Sequence, residues 1–407
     1  MAEDAAPQVA GASSESSPRD SGPPHPPSLA DLFLSFLRLG LVSFGGPGMV
    51  AYIKRLAVAR RRWLSEQEFQ EGVALCQAVP GATAMQCAAY VGLRSRQLAG
   101  ATVAYLGFGL PAFLLMLGLS VAYRHAVGLP AVTSVLTGLR ALVVALVAHA
   151  TWTFGRSSVK GLREGAIAAA TAAFFLIGGS PFLIVATAGL AGPILLRHNP
   201  VPAPSLASPS IGWRALRSPA LLLAVAAVLV VTLIVVDPRL ASLGLVMMKV
   251  DIFAFGGGFA SVPLMFSEIV DVQAWMPADV FMDGIALGQV TPGPIVITAT
   301  FVGQQMAGIP GALVGTVCIF LPSLFIVVLV EPWFRRLRSS PTFQTVTRAL
   351  VLCFVGLLAS VTIHFAQIAP WSIPSGIVAT LAFVALLLKV DVVWVVLGGA
   401  ALCAVVL

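Results

Sequence analysis

Four short clusters of glycine and proline are the residues best placed to do chemistry. They are Phe44-Gly45-Gly46-Pro47, Pro80-Gly81, Phe255-Gly256-Gly257-Gly258 and Pro292-Gly293-Pro294. Each interrupts an apolar stretch, so each predicts a point where one helix stops and another starts. A helix that starts inside a protein turns unbonded backbone N–H groups and the positive end of its dipole toward the break. That arrangement suits an anion. Glycine lets the backbone approach a ligand closely, and Pro47 and Pro294 fit the first turn of the helix that follows. Ser43, Gln77, Thr83, Gln86, Ser261, Gln289, Thr291 and Thr298 add neutral polar groups nearby. Arg38 and Lys249 stand six residues before Phe44 and Phe255, which is about 9 Å along a helix and within reach of a long basic side chain.

The expected anion site therefore comprises Arg38, residues 44–47, Gln77, Pro80, Gly81, Thr83, Lys249, residues 255–258, Gln289, Thr291 and residues 292–294. Asp251 lies beside Lys249 inside an apolar helix and is the candidate for a charge pair or for proton coupling, because ionisable groups in such segments are costly and tend to be functional. Plainer readings stand beside these. Breaks also form where helices pack closely. Arg38, Lys249, Arg140 and Arg348 also fit as interfacial anchors, and the Gln and Thr residues as ordinary bridges between helices.

The elements that must position these groups follow from composition and repetition. Of 407 residues, 58% are hydrophobic and only 10% charged, with a mean hydropathy of +0.95. Soluble domains carry about 25% charged residues, so the solvent here is the bilayer. Phe44-Gly45-Gly46 recurs as Phe255-Gly256-Gly257, 211 positions on. With a one-residue slip, Trp63, Gly72, Gln77 and Pro80-Gly81 match Trp275, Gly284, Gln289 and Pro292-Gly293; Gly92, Gly100 and Pro111 match Gly303, Gly311 and Pro322. The sequence thus predicts two copies, over 29–197 and 243–407, joined by a linker and a connecting helix over 198–242. Residues 1–28 read as a disordered cytoplasmic tail without a signal peptide. In each copy short apolar segments stop at the breaks (31–44, 48–62, 66–79 and 82–93; 243–255, 259–272, 278–291 and 294–306). They are shorter than the roughly 20 residues of a full span, so they read as half-helices or re-entrant hairpins. Interrupted segments at matching places in two halves point to a transporter's binding site.

Loop charges give the relation between the copies. Lys54, Arg55, Arg60, Arg61 and Arg62 face a counterpart with Glu268, Asp271 and no base; Arg94 and Arg96 face a neutral Gln304-Gln305-Met306. The asymmetry then reverses, with Arg335, Arg336 and Arg338 in the second copy, and reverses again with Arg156, Lys160 and Arg163 in the first. Basic loops stay cytoplasmic. The expectation is an all-α polytopic membrane protein of two inverted-topology repeats with broken helices, multi-pass in the cell (inner) membrane.

The net charge of +7 is a topology signal spread over short loops, not a nucleic-acid surface. The five cysteines each sit in apolar stretches without metal-ligand spacing, and the five histidines are scattered. No Walker A motif occurs. Neither an enzyme, nor a metal site, nor a cofactor is expected. Glu66, Glu68 and Glu71 stand near five bases and read as interfacial pairing partners.

The residues resemble the chromate ion transporter family in its long, two-domain form, over roughly 30–407. The resemblance rests on Phe44-Gly45-Gly46-Pro47, Trp63-Leu64-Ser65-Glu66, Gln77-Ala78-Val79-Pro80-Gly81 and Leu110-Pro111 in the first half. In the second it rests on residues 255–258, Gln289-Val290-Thr291-Pro292-Gly293-Pro294 and Leu321-Pro322. Ala82 departs from the family's usual proline. The resemblance implies secondary export of chromate across the cytoplasmic membrane, driven by the proton motive force and giving chromate resistance. Sulfate, a similar tetrahedral dianion, is the natural competitor. A carrier of sulfate or another oxyanion and a non-transporting membrane scaffold are the rival readings, and a homodimer is a candidate assembly.

Overall fold

A computed structural model describes residues 26–44, 48–196 and 217–406. The expectations for Gly45, Gly46 and Pro47, for residues 1–25 and for the 197–216 stretch of the linker fall outside these. The described residues form helices and no strand. The first half runs α1 (Leu29–Val42), α2 (Gly48–Lys54, continued by a π turn to Arg60), α3 (Glu66–Ala78), α4 (Thr83–Ala126), α5 (Pro130–Ser158), α6 (Leu162–Leu176) and α7 (Pro181–Leu195). Helix α8 (Arg217–Val236) follows. The second half is α9 (Pro238–Phe253), α10 (Ser261–Phe266, between a 3-10 turn at Gly258–Ala260 and a π turn to Val272), α11 (Ala278–Val290) and α12 (Thr298–Val330), which a 3-10 turn at Ile295–Ile297 precedes. It ends with α13 (Phe334–Ser339), α14 (Pro341–Ile368), α15 (Ile373–Leu387) and α16 (Val392–Val406).

Start signals in the sequence explain where these helices begin. The Ser28 side chain accepts from the Asp31 N–H at 3.0 Å, and Ser65 with Glu68 closes a reciprocal capping box at the head of α3. Asp237 and Pro238 start α9, five residues before the expected segment at 243. Among the described residues, five stretches are long and apolar enough to cross a bilayer: 83–126, 132–158, 217–236, 295–339 and 341–368. Helix α8 leaves many large apolar side chains exposed, Val228 and Val235 among them, as a lipid-facing span requires. All five cysteines are buried, as small hydrophobes are.

The broken segments fold back on themselves. Asp31 at the head of α1 pairs with Arg61 beyond α2 at 3.0 Å; one straight helix would part them by about 45 Å. Helices α3 and α4 also meet, and a Cβ on Gly72 would lie 2.2 Å from the Tyr90 ring; one on Gly284 would lie 2.5 Å from the Phe301 ring of α12. A second reversal lies inside α4, where Arg96 (φ −146°, ψ 31°) and Gln97 (φ 54°, ψ −148°) leave helical geometry. Helix α12 repeats it at Ala307 (φ −143°, ψ 25°) and Gly308 (φ 63°, ψ −149°). Across the first turn Gly92 and Gly100 touch, and across the second Gly303 and Gly311; a Cβ on any of them would meet the facing carbonyl oxygen within 2.2 Å.

The two halves interlock by exchanging like contacts. Gly81 N–H donates to the Ala254 carbonyl at 2.9 Å, and Gly293 N–H donates to the Ser43 carbonyl at 2.9 Å. Each half thus uses its second break to bind the first break of the other, the reciprocity expected of a two-fold relation. Thr151 and Thr362, 211 positions apart, share a hydrogen bond at 3.1 Å, so these equivalent residues touch one another. The long arms of α4 and α12 run antiparallel. Arg94, just before the first arm, meets Glu331, just after the second, at 3.4 Å, and Tyr105 donates to the Phe320 carbonyl at 2.7 Å.

Candidate anion site

Both Pro-Gly breaks require glycine. Gly81 and Gly293 have φ of +119° and +115°, a region costly for any residue with a Cβ. Space is also closed: a Cβ would lie 2.0 Å from Ser323 Oγ at Gly81 and 2.7 Å from the Ala112 Cβ at Gly293. These turns aim the starts of α4 and α12 inward. Gly256 and Gly257 also have positive φ, +100° and +93°, and a Cβ on Gly257 would sit 3.1 Å from Thr83 Oγ1. The first break of the second half therefore abuts the second break of the first.

The described ends of these breaks surround one cavity of about 620 Å³, a size typical of ligand sites. Met49 and Val50 of α2, Ala82 to Ala84 at the head of α4, residues 256–258 before α10, and Gly293, Pro294 and Ile295 before α12 all line it. The caps at Ala82, Gly257 and Pro294 make no side-chain hydrogen bond. Helix-initial N–H groups without a side-chain cap thus lie at a water-accessible hollow, the geometry that holds anions. Gln77 and Gln289, the matching residues near the ends of α3 and α11, line it too. Gln289 is only 8% exposed, and its Nε2 has no hydrogen-bond partner among the described residues. A buried amide left unpaired is costly; a bound oxygen would satisfy it.

One charged side chain lines the cavity among the described residues, and it is Lys54. Its Nζ stands 2.6 Å from Glu66 Oε1 at the exposed mouth, where that contact holds the Glu66 carboxyl below its ordinary range. No acidic side chain is among the described residues lining the hollow. Ser157 and Ser158 at the end of α5 stand in the wall as well, beside Phe154, Val351 and the α3 side chains Phe69, Gln70 and Val73. Lys54 was legible in principle. It stands six residues beyond Gly48, at the same reach from a break that singled out Arg38 and Lys249, but its place in a basic run read as topology. The serines carry no such signal, since only the tertiary fold brings the end of α5 to the breaks.

Several expected residues stand elsewhere. Phe44, Pro80, Gly81, Phe255 and Pro292 shape the turns without lining the cavity. The Thr291 hydroxyl donates to the Gly288 carbonyl at 2.9 Å, Ser261 to Gly258 and Thr298 to Ile295; each binds its own turn, as short hydroxyl side chains do. Gln86 likewise donates to the Pro80 carbonyl. Arg38 is exposed on α1 and has no ion-pair partner among the described residues. Lys249 meets Glu268 Oε1 at 2.6 Å and sits 4.0 Å over the Phe182 ring.

The expected Lys249–Asp251 charge pair does not form. Residues two apart on a helix do not face each other, and Asp251 points inward. It is 1% exposed and both its oxygens accept from the Ser323 hydroxyl, at 2.9 and 2.7 Å. That hydroxyl in turn accepts from the Ala82 N–H at 3.2 Å. A short chain of hydrogen bonds thus runs from the buried carboxyl to the residue before α4 at the cavity wall.

The other conspicuous basic residues are pairing partners rather than anchors. Arg140 grips Asp283 through Nε and Nη2, each at 2.7 Å, and meets Asp279 at 3.1 Å; Tyr123 donates to Asp283 at 2.9 Å. Arg348 pairs with Glu164. At the opposite end of α4, Glu68 meets Arg94 and Glu71 meets Arg335, each at 3.0 Å. The expected pairing of the 66–71 acids is therefore present.

Comparison with known proteins places this architecture. The model of a family described as chromate transporter matches the chain twice, over residues 30–193 and 241–404. An uncharacterized transporter of Methanocaldococcus jannaschii is 40% identical over 372 residues, 91% of this chain and 92% of that protein. A chromate transport protein of Cupriavidus metallidurans is 32% identical over 383 residues, covering 89% of this chain and 88% of its own. One from Pseudomonas aeruginosa is 31% identical over 368 residues, 89% and 87% of the two chains. No solved structure matches the chain.

Proposed function

This chain belongs to the chromate transporter family, and from that premise we propose that it is a secondary transporter exporting chromate across the cell membrane. The family's members are multi-pass transport proteins rather than enzymes. The observation that carries the reading is the cavity itself. Helix starts without side-chain caps from both halves, two matching glutamines and the Lys54 ammonium face a hollow with no acidic wall among the described residues. A tetrahedral dianion needs many donors from several directions and one or more positive charges, and this lining supplies both.

Two further parts of the proposal have their own support. The halves act as inverted repeats around the cavity. The head of α3 pairs with the segment after α12 through Glu71 and Arg335, whereas the head of α11 pairs with the far end of α4 through Asp283 and Tyr123. Equivalent helices thus begin at opposite ends of a long arm of about 45 Å. The mouth of the cavity lies beside Lys54 and Ser158, in the basic segments that remain cytoplasmic, so the conformation described is open to the inside. Asp251 is the candidate proton carrier, because its carboxyl is enclosed and connected to the cavity wall through the Ser323 hydroxyl.

Everted vesicles containing the purified protein test this directly. Labelled chromate should accumulate when a proton gradient is imposed and should stop accumulating when the gradient is collapsed. Asp251→Asn should uncouple accumulation from the gradient while leaving downhill chromate flux. Excess sulfate should compete. Absence of chromate movement under every gradient would refute the transport reading, and half-inhibition by traces of sulfate would assign the site to sulfate instead.

A further inference from the structure

A second cavity of about 420 Å³ adjoins the first. The two share Ser157, Ser158 and Val351 in their walls, so those residues are all that stands between them at that point. Three basic side chains line the second hollow, contributed by both halves: Lys160 just after α5, Arg338 on α13 and Arg348 on α14. They differ in how they are neutralised. Arg348 pairs with Glu164, whose other oxygen accepts the Lys160 backbone N–H at 2.6 Å. The side chains of Lys160 and Arg338 have no acidic partner among the described residues. Elsewhere at this end Lys54, Arg61, Arg94 and Arg335 each meet a carboxylate within 3.4 Å. Other basic side chains at this end also lack a carboxylate partner; Lys160 and Arg338 differ from them in lining a hollow. With Arg348 balanced by Glu164, the hollow keeps two positive charges, equal and opposite to a tetrahedral dianion.

We propose that the Lys160–Arg338–Arg348 hollow is a second anion-binding site, the vestibule in which a tetrahedral oxyanion dianion is held before it passes Ser157 and Ser158 into the glycine-lined cavity. Gln344 and Thr347, on the same wall, add neutral polar groups. Basic side chains in a concave site raise the local anion concentration and speed encounter, and salt weakens that effect. The inner cavity then needs only one cation of its own, because the vestibule has already gathered the anion. Specificity comes from the many backbone and amide donors further in. This inference rests on the oxyanion-transport reading of the inner cavity. The same basic chemistry would also hold the phosphoryl headgroup of an anionic lipid, and lipid composition separates the two sources.

The test uses the full chain and the double variant Lys160→Gln/Arg338→Gln, reconstituted in vesicles of zwitterionic lipid alone. Initial rates of labelled chromate transport are measured at about 0.01 M and about 1 M ionic strength. At low ionic strength the double variant should show KM raised about tenfold with kcat unchanged, and at high ionic strength the two proteins should converge. In parallel, equilibrium binding of labelled chromate and of labelled sulfate to the solubilised protein should show two sites in the wild type and one in the variant. An unchanged KM at low ionic strength, or a shift that salt does not erase, overturns the vestibule. An effect that appears only after anionic lipid is added assigns the cluster to headgroups and overturns it equally. Failure of the wild type to move chromate refutes the transport reading instead, and the binding stoichiometry still decides whether the outer site exists.

Discussion

At the scale of single residues, position relative to the cavity separates basic side chains that look alike in the sequence. Lys54 reaches the hollow, whereas Arg38 is exposed elsewhere and Lys249 serves Glu268. Replacing Lys54 by Gln should raise the KM for chromate about ten- to a hundredfold, the loss of one charge-assisted hydrogen bond, with little change in thermal stability. Arg38→Gln should leave KM unchanged. Lys249→Gln should lower the melting temperature, because the Glu268 side chain is only 5% exposed and would lose its partner, but should leave KM unchanged as well. Initial-rate kinetics in proteoliposomes and thermal melts read these apart. Arg140 makes the strongest single claim on stability. Its partner Asp283 is fully buried, and Arg140→Ala should cost about 3–5 kcal/mol by leaving that carboxylate without its cation. Adding Asp283→Asn to the same chain should recover most of the loss, measured as the melting temperature of the purified protein. Proximity in sequence suggested an Asp251–Lys249 pair and gave no hint of Arg140–Asp283, because ion pairs inside a bundle join residues 143 positions apart.

At the scale of elements, the glycine and proline breaks were legible and so were most helix ends. Local chemistry sets both. Gly81 and Gly293 must adopt positive φ against a neighbouring helix, and no other residue does so without strain. The reversals inside α4 and α12 fall just past the segment ends expected at 93 and 306, but the residue types at the two turns differ. In the second half Gly308 marks the turn, but in the first half Gln97 takes nearly the same backbone angles, in a region that favours glycine strongly. Gln97 is exposed, so its side chain gains no packing in return. Gln97→Gly should therefore stabilise the protein by about 1 kcal/mol, and Gly308→Ala should destabilise it by about 1–3 kcal/mol. Both are read by thermal melts in detergent. The opposite result would mean that the α4 turn is held by contacts of the Gln97 side chain. The wall serines at 157 and 158 were not legible, since nothing in the sequence of α5 records that its last turn faces breaks in two other segments.

For the molecule as a whole, loop charge was the most informative signal. The basic segments 54–62, 94–96 and 335–338 are joined at one end by Glu66, Glu68, Glu71 and Glu331, and Lys160 and Arg338 line the same adjoining hollow. Reporter fusions within 54–62 and within 266–274 should therefore report opposite sides of the membrane, and same-side signals would refute inversion. Since the native cysteines are buried, Ser158→Cys should react with a membrane-impermeant thiol reagent supplied from the cytoplasmic side and not from outside, as an inward-facing mouth requires. Protection of that cysteine by chromate would link the labelled wall to the substrate path. Coincident labelling from both sides would contradict a single open mouth.

The paired bonds from Gly81 to Ala254 and from Gly293 to Ser43 have a consequence for heredity. Each copy's Pro-Gly break is held by a backbone carbonyl of the other, so the two copies constitute one unit of selection. A lesion in either break should abolish the phenotype alone, with no partial allele in which the spared copy works by itself. Two copies in one chain also need not match residue for residue. A lone lysine at 54 and a lone aspartate at 251 are changes that a gene encoding a single self-pairing half would have had to make twice.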